Sequence, residues 1–197
     1  MRIAFLGWGS LVWNPAGLRT RGEWRKDGPS IPIEFARLSS RGRLTLVICR
    51  ESDCSWVTPV PVLWIVADYT TLDEARENLR ARENIRRSRA DGIGFLLIHD
   101  RDTNSNILTQ KQLEDMREWG KQKRLDAVVW TDLPSNWDDP PRDCLGEVTQ
   151  PLNEDNIIAY LRSLPAENLY EAERYIRFAP EQVQTLIRRR IEDEFGW

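Results

Sequence analysis

Two stretches of this chain combine residue types and spacings that could do chemistry. The first is FLGWGSLVWNP, residues 5–15, where a short apolar run from Ile3 to Leu6 breaks into Gly7, Trp8, Gly9 and Ser10. Successive backbone amides in such a turn can form a concavity for an anionic or polar group. Glycine permits the close approach, and the Ser10 hydroxyl adds a further hydrogen-bonding group. The competing account is a tight turn that merely reverses the chain. A dinucleotide site would need a third glycine, where Val12 stands, and a following helix, which Asn14-Pro15 stops.

The second stretch is TLDEARENLRARENIRRSRA, from Thr71 to Ala90. Leu72, Ala75 and Leu79 form an apolar stripe at helical spacing, and at about 100° per residue Glu83 falls within roughly 50° of its centre. Glu74 and Glu77 point elsewhere. A carboxyl facing the interior is pushed toward neutrality by desolvation unless a cation offsets it. Arg80, Arg86 and Arg87 lie at i−3, i+3 and i+4, so one account is a structural ion pair. The other is a general base and acid tuned by partial burial.

The elements that would position these groups read as follows. Strands are predicted over 31–38, 44–49 and 60–69, then a helix from a Thr70 or Thr71 cap to about Arg89. A strand over 93–99, a helix over 109–123 and a short strand over 127–130 come next. After the polar loop SNWDDPPRD, helices are predicted over 153–164, 166–178 and 180–195, the last with Pro180 at its first position. Leu161, Leu164, Leu169, Ile176, Val183 and Ile187 look like packing residues of these helices, and their polar positions, Arg188 and Arg190 included, look solvated. Strands first and helices late favour an α+β fold.

Composition narrows the function classes. The 197 residues are 41% hydrophobic and 30% charged, which suits a globular domain, and the formal net charge is −3. That balance offers nucleic acid no general attraction, and acidic residues intersperse the arginine-rich stretches 76–89 and 188–190. No run of about 18 apolar residues supports a membrane span, and no signal peptide is evident, so a cytoplasmic protein is expected. Cys49, Cys54 and Cys144 are odd in number with no C-x-x-C pair, arguing against a disulfide framework or a cysteine zinc site. His99 is the single histidine, so a hydrolase built on Ser10 or Cys49 has one possible base. The nine tryptophans suit either pocket walls or core packing.

The opening stretch resembles the F-G-Y-G-S-L-x-W-N-P signature of the γ-glutamylcyclotransferase family, in particular its glutathione-cleaving ChaC-like branch. The likeness continues in order over residues 2–132. Ile33 to Leu46, with Arg37 and Arg41, looks like the second and third strands, and Trp56 to Tyr69 like the β-rich stretch before the helix. LRARENI falls where the family carries L-x-x-R-E, and DAVVWTDLP resembles its later A-x-x-Y strand. The resemblance implies an α+β fold: a small closed mixed β-barrel with flanking helices, core about 1–132, and extra C-terminal helices about 150–197 in one domain. It implies Glu83 as the catalytic residue and Trp8, Gly9, Ser10, Leu11, Trp13, Arg37 and Trp130 as substrate-binding residues. The implied reaction is intramolecular aminolysis of a small γ-glutamyl compound, releasing 5-oxoproline without metal or cofactor. Neither nucleic acid nor membrane is an expected partner, and a homodimer is compatible. Trp8 and Trp130 stand where the family has tyrosines, and Asn84, Ile85 and Arg86 replace the glycine and aromatic residues that often follow R-E. These departures motivate the alternative of a non-catalytic small-molecule-binding protein on the same fold.

Overall fold

The computed structural model describes residues 1–197, the side chain of Ala90 excepted. In chain order its elements are β1 (Ile3–Gly7), α1 (Ser10–Trp13), β2 (Thr20–Arg25), β3 (Ser30–Ile31), β4 (Ile33–Leu38), β5 (Leu44–Ile48), β6 (Val60–Pro61) and β7 (Leu63–Ala67). Then come α2 (Leu72–Arg82), β8 (Ile93–Leu97), β9 (Thr103–Asn104), α3 (Gln110–Gln122), β10 (Ala127–Thr131), α4 (Glu154–Ser163), α5 (Ala166–Phe178) and α6 (Leu186–Phe195). Short 3₁₀ turns occupy Ser40–Gly42 and Arg87–Gly92. The architecture is mixed α+β, and no helix among the described residues is long and apolar enough to cross a membrane.

The chain divides into two compact units, Met1–Ile31 with Pro61–Leu133, and Pro32–Val60 with Pro134–Trp197. The first holds a six-stranded mixed sheet in the order β2-β7-β1-β10-β8-β9. β1 runs parallel to β10 and antiparallel to β7. The central strands IAFLG and AVVWT are near-continuous apolar runs, as strands covered on both faces require. The polar TRGEWR of β2 and the two-residue β9 form the edges, where exposed backbone is tolerated. The ladder therefore begins at β2 and ends at β9; these strands do not pair into the closed barrel that the resemblance implies. Helix α2 lies against β8 and β10, burying Ala75 and Leu79 in a core shared with Ile3, Phe5, Leu11 and Val129.

In the second unit β4 and β5 form an antiparallel hairpin, with Ile33 opposite Ile48 and Leu38 opposite Leu44. α5 packs on β5 and α6 on β4, and Phe35 meets Tyr175 edge-on at 6.4 Å between ring centroids. Residues 32–60 cluster with the late helices, because the faces of β4 and β5 are covered by α5 and α6.

Element boundaries also differ from expectation: the strand predicted over 31–38 is interrupted at Pro32, with Ile31 in β3 and Ile33–Leu38 as β4. The strand predicted over 60–69 is two strands, since Pro61 has no amide to carry a ladder onward. The helix predicted to Arg89 stops at Arg82. The last helix begins at Leu186, not Pro180, because the Thr185 hydroxyl caps it by accepting from the Arg188 amide at 3.2 Å. Of the six packing residues named, Leu161, Leu164, Ile176, Val183 and Ile187 are buried and Leu169 is half-buried. Arg188 is not solvated: it is buried, and its guanidinium donates to the carbonyls of Pro180 and Val183 and to Glu192.

Candidate functional site

The Gly-rich turn follows β1 directly. Gly7 is required by packing, since a Cβ there would lie 2.7 Å from the Trp24 ring. Ser10 to Trp13 then form a single helical turn, closed by the Asn14 amide donating to the Ser10 carbonyl at 2.9 Å. The amides of Ser10 and Leu11 open that turn, where no preceding helical carbonyl is available to them. The Leu11 side chain is buried in the core, Trp8 is buried, and Trp13 is half-buried.

Glu83 is the residue on which α2 ends. The helix begins at Thr71, whose hydroxyl accepts from the Glu74 amide. It closes with the Asn84 amide on the Ala81 carbonyl and the Ile85 amide on the Arg80 carbonyl, at 3.1 and 3.0 Å. Asn84 has φ 54°, and Ile85 packs in the same core as Leu79. This is the left-handed closure of a Schellman motif, with its apolar contact one residue beyond. Asparagine fills the position that glycine more often takes.

The cations lie differently from the helical-spacing expectation. Arg80 and Arg87 both pair with Glu77, holding its carboxyl down at about 2. Because the helix stops at Arg82, the i+3 and i+4 relation from Glu83 to Arg86 and Arg87 does not exist. The partner of Glu83 is its neighbour Arg82, whose Nη1 donates to Oε1 at 2.6 Å. The Nη2 of the same guanidinium donates to the Asn14 carbonyl at 2.6 Å and to Ser10 Oγ at 3.2 Å. The Arg82 side chain is 8% exposed and that of Glu83 20%. Arg82 was not among the residues singled out by sequence. The signal that could have found it is the Asn84-Ile85 closure, which ends the helix there and turns the Arg82-Glu83 pair toward the loop.

The structure thus brings Ser10, Asn14, Arg82 and Glu83 into one network, with Gly9 and Leu11 adjoining Ser10. Other expected residues lie outside it. Trp130 is fully buried and its indole donates to Asp132 at 3.0 Å. Arg37 belongs to the second unit, where its guanidinium donates to the Pro134 carbonyl at 2.6 Å. His99 is exposed and faces Asp126 at 3.9 Å, away from any pairing with Ser10. The Cys49 thiol is pushed up by the adjacent Cys54 and by burial, which disfavours the reactive thiolate.

A further carboxylate escaped the sequence reading. Glu34 on β4 is 1% exposed and accepts from the Phe35 and Ile187 amides at 2.8 and 3.2 Å. Burial pushes its pKa up to about 7, against the pull of Thr185 and the backbone amides. It stands in a mixed extended run of the sequence, and the docking of α6 on β4 covers it. No family model matches the chain, and no curated protein or solved structure is significantly similar to it.

Proposed function

We propose that this chain is a γ-glutamylcyclotransferase-like enzyme that releases 5-oxoproline from a small γ-glutamyl compound by intramolecular aminolysis. The observation that carries this reading is the link, through one guanidinium, between Ser10 of the Gly-rich turn and Glu83 at the end of α2. In this reading Glu83 takes a proton from the substrate α-ammonium, and the freed amine attacks its own γ-carbonyl carbon. The oxyanion that develops meets the amides of Gly9, Ser10 and Leu11. Glu83 then returns the proton to the leaving nitrogen as the γ C–N bond breaks. The ring nitrogen gives up its second proton, which the released amine carries away as ammonium; the products are 5-oxoproline and an amine or amino acid. Holding amine and carbonyl at attack distance supplies much of the acceleration. Trp8 and Trp13 would flank the γ-glutamyl group. No protein nucleophile or cofactor enters this scheme, and a cytoplasmic setting goes with it.

The second reading is a non-catalytic small-molecule-binding protein, favoured by the 2.6 Å pairing that already occupies one Glu83 oxygen and by the tryptophans at positions 8 and 130. Purified protein incubated with glutathione and γ-glutamyl amino acids separates the two. Formation of 5-oxoproline is expected, and Glu83→Gln should lower it by about 10²–10⁴-fold. The glutamine oxygen can still accept from Arg82, so the variant should remain folded. Full activity in Glu83→Gln would remove Glu83 from the mechanism, and binding without turnover in the wild type would favour the second reading.

A further inference from the structure

Arg82 makes contacts that neither the base nor the turn can supply alone. Its guanidinium reaches a carboxylate, a hydroxyl and a carbonyl from three places in the chain: Glu83 beside it, Ser10 at the first residue of α1, and Asn14 at the cap of α1. A four-residue helix has too few internal hydrogen bonds to hold its own shape. Here both of its ends are tied to the same buried side chain. The planar guanidinium fork suits this task, whereas a lysine ammonium is a point charge that cannot span the acceptors in fixed directions. Oε1 of Glu83 is pinned by Nη1, so the orientation of the other carboxylate oxygen follows from that bond.

We infer that Arg82 is a positioning residue: it clamps the turn carrying the Gly9–Leu11 amides to the Glu83 carboxylate, and so sets the separation between oxyanion donors and base. The catalytic consequence rests on the cyclotransferase reading above; the clamp itself does not. Arg82→Ala and Arg82→Lys in the full chain test both parts. Amide hydrogen exchange over residues 8–14 should quicken by about tenfold or more in both variants, with β1 and β7 unchanged, as expected when a local restraint is lost in a folded protein. Turnover to 5-oxoproline should fall by about 10²-fold with KM within about threefold of wild type, the pattern of misplaced and not missing groups. Added guanidinium ion should restore part of the activity to Arg82→Ala and none to Glu83→Gln.

Exchange over 8–14 equal to wild type in a folded variant overturns the clamp. Wild-type turnover in Arg82→Lys overturns its catalytic consequence. Should Arg82→Ala fail to fold, Arg82→Lys, which keeps the charge and the aliphatic stem, gives the exchange comparison. Wild-type protein that makes no 5-oxoproline ends the cyclotransferase reading, and the exchange result still decides the clamp.

Discussion

Asn84 has a φ of 54°, and asparagine is among the few side chains that enter this region readily. Trp130 is set by packing and a buried hydrogen bond. Its indole fills the space left by Gly94 on β8 and donates to Asp132, which also accepts from Ser105 Oγ and the Asn106 amide. Trp130→Phe keeps an aromatic ring but leaves a buried acceptor short of one donor. It should lower the unfolding free energy by about 1–3 kcal/mol in urea titrations and leave KM for a γ-glutamyl substrate unchanged. A raised KM at undiminished stability would place Trp130 in the pocket wall.

At the scale of elements, the start of α6 depends on a strand residue. Glu34 presents its carboxyl to the amides of Leu186 and Ile187 and to Thr185, with Cys49 as its titratable neighbour. Its folded pKa of about 7 lies above the ordinary 4.5. The folded state therefore binds more protons between these values, and stability falls as pH rises through that window. Glutamine at this position does not titrate. The wild type should lose stability relative to Glu34→Gln by up to a few kcal/mol between about pH 4.5 and 7, and little beyond. Melting temperatures of both proteins across that range check the sign, and a gap that is constant with pH would show that Glu34 does not titrate there.

At the scale of the molecule, each unit has its own packing: the six-stranded sheet with α2 and α3, and the β4–β5 hairpin with α4 to α6. Contacts are concentrated within units, so native-state hydrogen exchange in mild denaturant should resolve two cooperative groups of amides. One should contain β1, β7, β8 and β10, the other β4, β5 and the late helices. Amides of β4 and β5 that open together with β1 and β7 would show instead that the chain unfolds as a single unit.

The sequence by itself determined the features that depend on neighbours a few residues apart. The apolar run of β1, the Thr71 cap of α2, the Thr109-Gln112 capping box of α3 and the bounds of α5 all follow local pattern. It also brought Ser10 and Glu83 forward as chemistry-bearing residues, because glycine turns and a carboxylate on an apolar stripe are local signals. The tertiary structure alone decided the partners. Arg82 rather than Arg80 or Arg87 meets Glu83, Trp130 and Arg188 are internal, Glu34 is buried under α6, and residues 32–60 join the late helices. Each of these depends on which distant segment covers a given face. Helical and strand periodicities specify that a face is to be buried, but not by what.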